Sequence, residues 1–454
     1  MNALLILTVS GALCLICEIL SARKAVFPLV LAGMAAAFVA NIFDWNHSAS
    51  YYNDMMRSDN YAVAFTGVLT ALAFCWVLLS PAFFREESSS TDHYSLILFS
   101  LTGALVLVSY SNMIMLFLGI EILSIPMYVL AGSRKTELSS NEAAVKYFLM
   151  GSFATGFLLF GIALIYGATG SFNLGTVSET VASEGNSFIF YAGMLMVLIA
   201  LAFKSSIVPF HFWAPDVYQG SPTQITAFMS TVVKTAAFAA FFRLFWLSFA
   251  HVSELWSGTL WVLSAATILI GNITAVYQSN VKRMLAWSSI AHAGYMLMSL
   301  LAMNAYAEGS LLYYSVAYSL SSLAAFTILY FVCGKDNETV DSFRGLVSKN
   351  PLLAFLTLIA MLSLAGIPPL AGFFAKYYIF SAALQNHYTG LVIIAVAGSL
   401  IGVFYYFRVI IAMFSEGAES EKPAISPLVK GALIVISLVT LIFGIAPAWI
   451  VSLL

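Results

Sequence analysis

The sequence predicts an all-α polytopic membrane protein with about 14 transmembrane helices, and three observations carry that reading. Hydrophobic residues make up 61% of the chain, charged residues only 9%, and the mean hydropathy is +0.93. Soluble domains carry about 25% charged residues, so most of this chain must face lipid or protein. Apolar runs recur along all 454 residues with short connections, enough for about fourteen spans of roughly 20–30 residues each. Prolines interrupt two of these runs beside lysines, which is tolerated at membrane depth only where the gap lines protein or water. The net charge of −2 carries no information about partners, and nothing in the chain suggests nucleic acid.

The spans follow in order. Asn2–Leu20 is the first and not a secretory leader, because it lacks a basic start, carries Glu18 and runs at once into another apolar stretch. Val26–Phe43 and Tyr61–Phe84 complete an N-terminal group, residues 1–93. Tyr94–Tyr110, Met113–Ala131, Glu142–Ala168, Phe188–His211 and Thr223–Phe249 form a second unit, residues 94–249. Leu255–Tyr277, Met284–Met303, Gly309–Val332, Leu352–Leu384 and Tyr388–Phe414 form a third, residues 255–416. Ile425–Ile450 closes the chain within residues 425–454. The longest connections lie near Asp44–Asn60, Thr169–Ser187 and Gly334–Pro351, and no soluble domain fits between spans.

The second and third units read as a repeat. Tyr110-Ser111-Asn112 before span five matches Gln278-Ser279-Asn280 before span ten, KYFLMGS from Lys146 matches YYSVAYS from Tyr313, and FFRLF around Arg243 matches YFRVI around Arg408. Five spans is an odd number, so the second copy crosses the membrane in the opposite sense, which is an inverted repeat. Arg243 is then expected near the outer face and Arg408 near the inner one.

Orientation follows from the loop cations. Counted from the N-terminus, the odd connections hold Arg23, Lys24, Arg85, Arg134, Lys135, Lys282, Arg283, Lys335, Arg344, Lys349 and Lys422, whereas the even ones hold only Arg57. The odd loops are therefore cytoplasmic, and both termini lie on the opposite, periplasmic side.

At membrane depth stand Lys146, Lys204, Lys234, Arg243, Lys376 and Arg408, with Glu121 the one acid near mid-span. A lysine near the centre of a membrane helix costs roughly 2.5–3.5 kcal/mol on insertion scales, so several of them mark a charge pathway. Spans seven and twelve are broken helices. Lys204 precedes Pro209, and Pro368, Pro369 and Gly372 precede Lys376. A helix break with freed carbonyls beside a lysine makes a hydrated cation or proton site, the bland alternative being a packing kink and a snorkelling lysine. Cys14 and Cys17 form a C-x-x-C without histidine or a second pair, while Cys75 and Cys333 are solitary. These read as small helix residues, with no metal site, so any redox cofactor belongs to another chain.

These residues resemble the antiporter-like subunits of respiratory complex I, the proton-pumping NADH:quinone oxidoreductase. The resemblance covers nearly the whole chain and is strongest at Phe203–Gln224, Val232–Phe238, Lys282–Tyr295 and Ala365–Lys376. Similar subunits occur in Mrp-type cation/proton antiporters and membrane-bound hydrogenases. Lysine at Lys376, and the chain ending soon after span fourteen without a long lateral helix, favour one member of the family. One departure is Ser399, which stands where the repeat places the counterpart of Lys234.

The resemblance implies a proton path through Glu121, Lys204, Lys234 and Lys376. A carboxylate close to an ammonium favours its charged form, so moving Glu121 relative to Lys204 would act as a switch. Ser205, Ser206, His211, Thr235, Ser288, Ser289 and His292 are candidate relays between sites. For His211 and His292 the other reading is a buried, satisfied histidine. Lys146 either modulates Glu121 or faces the cytoplasmic interface. The resemblance further implies a bacterial inner-membrane location, and partnership with the other antiporter-like and quinone-site membrane subunits within the lipid bilayer. No cofactor is expected on this chain, with NADH, FMN, iron–sulfur clusters and quinone in partner subunits. An Mrp-type antiporter or hydrogenase subunit, and a scaffold with inert lysines, are the competing readings.

Overall fold

The computed structural model describes residues 1–83, 90–184, 187–304, 306–334, 338–417 and 425–454; the loop cations Arg85, Lys335 and Lys422 lie outside them. Helices α1 (Asn2–Ile19), α2 (Val26–Ile42) and α3 (Asn60–Leu79) come first. They are followed by α4 (Ser90–Ser109), α5 (Met113–Ala131), α6 (Leu138–Thr169), α7 (Leu174–Glu184), α8 (Phe188–Lys204), α9 (Trp213–Gly220), α10 (Thr223–Phe228) and α11 (Lys234–Ser248). Then come α12 (Ser253–Val276), α13 (Val281–Ala302), α14 (Ala307–Cys333), α15 (Leu346–Lys349), α16 (Pro351–Ala365), α17 (Ala371–Gln385), α18 (Thr389–Phe414), α19 (Pro427–Ile445) and α20 (Ala448–Val451). The connection after α2, read from sequence as plain loop, carries a hairpin of β1 (Ala49–Tyr51) and β2 (Met56–Ser58), with Ser50 opposite Arg57.

Among the described residues twelve helices are long and apolar enough to cross a membrane, while α8 and α16 are apolar but shorter. The runs Phe188–His211 and Leu352–Leu384, expected as broken helices, are each divided between two helices. In the first, helix stops at Lys204, ahead of Pro209 itself. Proline disfavours helical geometry in the residue before it and supplies no donor, and Ser206 adopts φ +60°. The opened backbone is satisfied by other elements: Val208 N–H donates to Thr267 Oγ1 of α12 (3.0 Å), and the Trp213 indole donates to the Phe203 carbonyl (3.0 Å). In the second, Gly366 (φ +84°) ends α16. Gly372 then lets the start of α17 approach it, since a Cβ there would lie 1.7 Å from the Ser363 carbonyl oxygen.

The matched motifs fold into matched geometry. Asn112 and Asn280 each cap the helix that follows, accepting from Ile114 N–H and Arg283 N–H, as capping asparagines do. Met113 N–H donates to the Phe172 carbonyl and Val281 N–H to that of Glu338, while the Ser111 and Ser279 carbonyls accept from Leu174 and Val340. Arg243 Nε donates to the Tyr110 carbonyl (2.7 Å), and Arg408 donates to that of Gln278.

Burial is uneven. In Thr223–Ser248 the whole apolar window is inside the molecule, against 28% of it in α1 and in α2. The central helices α10, α11, α13 and α14 therefore form an interior that carries the polar groups, with the more exposed helices around it.

Candidate functional site

Lys204, Lys234 and Lys376 are buried, with 5%, 2% and 6% of their surface exposed. Each ammonium has neutral partners. Lys204, the last residue of α8, donates to Ser124 Oγ of α5 (2.7 Å) and to the Tyr147 hydroxyl of α6 (3.3 Å). Lys234, the first residue of α11, donates to the carbonyl (2.6 Å) and hydroxyl (2.5 Å) of Ser289 on α13. Lys376, on α17, donates to the Ala365 carbonyl (2.8 Å) freed where α16 ends and to Ser399 Oγ (2.8 Å). The tyrosine faces of Tyr147, Tyr318 and Tyr295 lie 5.5, 5.9 and 5.4 Å from the three ammonium groups, within reach of the ring quadrupole. Among the described residues none of these lysines makes an ion pair.

Glu121 does not touch Lys204. Its carboxylate accepts from Thr155 Oγ1 of α6 (2.7 Å). The expected pairing is indirect, since Ser124 lies three residues on, on the same face of α5 as Glu121, and holds the lysine. Lys146 makes its ion pairs elsewhere. It bridges Glu142 (2.6 Å) and Asp216 (2.8 Å), and Asp216 also holds Arg283 (2.8 Å). These groups line a charged cavity with Arg134, Lys282 and Glu338.

The relay candidates separate into two sets. Around the second and third lysines they are connected: Thr235 pairs with Ser319 (3.3 Å), Ser288 bonds the Tyr406 hydroxyl, and His292 bonds the hydroxyls of Tyr314 (2.6 Å) and Tyr406 (3.2 Å). Near the first break, the buried Ser205 and Ser206 hydroxyls and His211 Nδ1 have no hydrogen-bond partner among the described residues. His211 packs its ring against Trp287 (5.4 Å).

Several groups went unread in the sequence. Ser124 could have been found from its three-residue spacing to Glu121, and Tyr147 from its place beside Lys146 in the repeated motif, which also aligns it with Tyr314. Tyr406 opens the YFRVI motif matched around Arg408 and could have been found there, whereas Thr155 gave no signal. The π-turn Met229–Val233 that delivers Lys234 is of a kind frequent at functional sites, but nothing in its residues announces it. Among the described residues no three His, Cys, Asp or Glu side chains converge as a metal site, and the four cysteines stand apart on α1, α3 and α14.

A fold of this kind, with lysines on neutral partners inside a helical core, defines a multi-pass membrane protein with charged groups in its interior. Residues 111–402 match the family described as NADH:quinone oxidoreductase/Mrp antiporter, transmembrane. NADH-quinone oxidoreductase subunit N of Cytophaga hutchinsonii is 46% identical over 98% of both chains, and that of Flavobacterium psychrophilum 42% identical over the full length of both. A chain of respiratory complex I from Thermus thermophilus superposes with TM-score 0.87 at 33% identity, covering 99% of this chain and 98% of that one. A chain of the Mrp complex from Dietzia shares the fold, with TM-score 0.89 at 19% identity over 99% and 95% of the two chains. The chain belongs to the subunit N family of NADH:quinone oxidoreductase, the antiporter-like membrane subunits.

Proposed function

We propose that this chain is a proton-translocating membrane subunit of a bacterial NADH:quinone oxidoreductase, carrying protons through Glu121, Lys204, Lys234 and Lys376. The observation that carries the reading is the row of three buried lysines on hydroxyl and carbonyl partners. A lysine locked to a carboxylate keeps its proton, whereas one on neutral partners can pass it to a hydroxyl or water and regain it. The side chains supply acceptors at hydrogen-bond distance in sequence: Ser124 and Tyr147, then Ser289, then Ser399, with Ser288, Tyr406, His292 and Tyr314 among them. Glu121 acts on Lys204 through the Ser124 turn and through movement of α5, not by a standing ion pair. NADH, FMN, iron–sulfur clusters and quinone belong to partner subunits, and the neighbouring membrane subunits of the complex are this chain's partners.

In this reading α8 with α9, and α16 with α17, complete two broken spans, which brings the twelve long helices to fourteen. Residues 94–249 and 255–416 are inverted repeats, supported by the matched asparagine caps and arginine contacts. The loop cations place both termini on the periplasmic side. In support, the Met1 ammonium pairs with Asp44 after α2, and Leu454 shares a cavity with Arg57 and Glu308, so both ends gather with the even connections.

Affinity purification of the tagged chain from its own membranes tests the assignment. NADH-dependent quinone reduction by the purified complex is expected. Recovery with sodium- or potassium-dependent proton exchange and no NADH oxidation would favour the antiporter-subunit reading instead.

A further inference from the structure

At the opposite end of α14 from the charged cavity around Lys146 lies a second cavity, lined by Arg57, Asp59, Tyr61, Arg243, Trp246 and Glu308. Its wall is held by a buried arginine: Arg243, 3% exposed, donates to Asp59 Oδ1 (3.1 Å) and Oδ2 (2.8 Å). Glu308 stands in the first turn of α14, and among the described residues its carboxylate makes no hydrogen bond or ion pair. From there Glu308, Leu312, Ser315 and Ser319 follow one face of the helix. Ser315 is fully buried, with a hydroxyl that has no hydrogen-bond partner among the described residues, while Ser319 meets Thr235, the neighbour of Lys234.

Helix α11 packs against α14 and runs antiparallel to it, because Thr235 lies at Ser319 while Arg243 and Trp246 share the cavity with Glu308. In that register Ala239 lies level with Ser315. Tyr61, whose ring faces the cavity, reaches to this level and donates to the Ala239 carbonyl (2.9 Å). Hydroxyl groups thus descend from the cavity toward Lys234, interrupted by Leu312.

We propose that Glu308 is a proton-exchange site joining this cavity to Lys234 by way of Ser315, Ser319 and Thr235. The inference rests on the proton-carrying reading of Lys234 and adds a route to the face that holds the termini. A proton moves between water in the cavity, the Glu308 carboxylate and the hydroxyl ladder. Each hop breaks one O–H or N–H bond as it forms the next, so no other reactant is required. Ser315 is about 10 Å along the helix from Glu308 by the 1.5 Å rise per residue, so water must enter past Leu312 for exchange.

The test uses the intact complex in native membrane vesicles. In Glu308→Gln and in Ser315→Ala, NADH-driven proton translocation is expected to fall at least about tenfold, since losing a positioned proton carrier slows its step by roughly a hundredfold or more. The solvent isotope effect on turnover should rise, and Glu308→Asp should restore much of the rate. A merely structural role would leave the isotope effect alone. As a check independent of Glu308 itself, labelling Trp246→Cys with an impermeant thiol reagent from the terminal-bearing face should slow turnover. Unchanged rate and isotope effect in assembled Glu308→Gln, or no effect of that label, overturns the route. If Lys234→Ala pumps normally the underlying reading fails, whereas an inactive Lys234→Ala beside a normal Glu308→Gln removes this route alone.

Discussion

The surroundings of Lys204 and of Lys376 differ in a way their matched backbones do not foreshadow. Both lysines stand at a helix break, yet Lys204 ends the helix before its break and Lys376 lies in the helix after its own. Lys204 is held by side-chain hydroxyls from two other helices, with an acid one turn from the nearer of them. Lys376 is held by a backbone carbonyl that the break itself frees, with Ser399 beside it and, among the described residues, no acid paired with it. The positions that hold Lys204 in the first half, Ser124 and Tyr147, are taken in the second by His292 and Tyr314, which bond each other. The two sites are equipped differently: Lys204 has its partners on α5 and α6, and Lys376 has one at the end of α16.

The largest expected difference between the halves concerns their arginines. Arg243 is 3% exposed and doubly bonded to Asp59, whereas Arg408 is only partly buried and meets carbonyls alone. Asp59→Ala leaves an uncompensated buried guanidinium at a cost of about 3 kcal/mol or more, and should sharply lower the amount of assembled complex on native gels. Arg408→Ala should cost about half as much, since it removes ordinary hydrogen bonds to carbonyls. Equal losses would mean that the two contacts are energetically equivalent after all.

Next comes the fixed break. Gly372→Ala drives a methyl into the Ser363 carbonyl and should destabilise the subunit by about 1–3 kcal/mol, seen as a lower unfolding temperature of the detergent-solubilised complex. If Gly372→Ala is as stable as the parent, α16 and α17 are not pinned as described.

The surroundings of Lys204 are tested through charge. Glu121→Gln should depress pumping and quinone reduction together, and Glu121→Asp should be milder because the charge survives. Thr155→Val, which removes one hydrogen bond to the carboxylate, should cost less again, near 1 kcal/mol of interaction. A normal Glu121→Gln beside an impaired Glu121→Asp would show that size rather than charge matters there.

The smallest effect is expected from topology reporters. Cysteines at Ser133 and Ser348 should be labelled only from the cytoplasm, and those at Ser50, Ser183 and Asn386 only from outside, with turnover unchanged. Mixed labelling within either set would break the inverted relation of the halves.

Much of this was legible in the sequence because membrane burial makes charge conspicuous. Lys204, Lys234, Lys376 and Glu121 stood out against apolar runs, and the prolines marked both interruptions. Ser289 was named and holds Lys234. Spacing or a repeated motif marked Ser124, Tyr147 and Tyr406 but not their role, and Thr155 had no mark at all, since serine, threonine and tyrosine are common in membrane helices and only the packing decides which of them meets an ammonium. Spacing along α5 places Glu121 on the face that meets Lys204, but which residue of that face makes the hydrogen bond depends on how the helices pack. Ser399 was noticed only as a departure from the repeat, and its contact with Lys376 explains it.

The central claim is that the buried lysines carry protons, and it is tested most directly in vesicles bearing the assembled complex with Lys204→Ala or Lys234→Ala. NADH-driven proton translocation and quinone reduction are expected to fall together in each, with the complex present at normal amount, since an apolar replacement does not hinder insertion. Normal proton translocation in both variants at normal expression would contradict it and leave the lysines as inert parts of the scaffold.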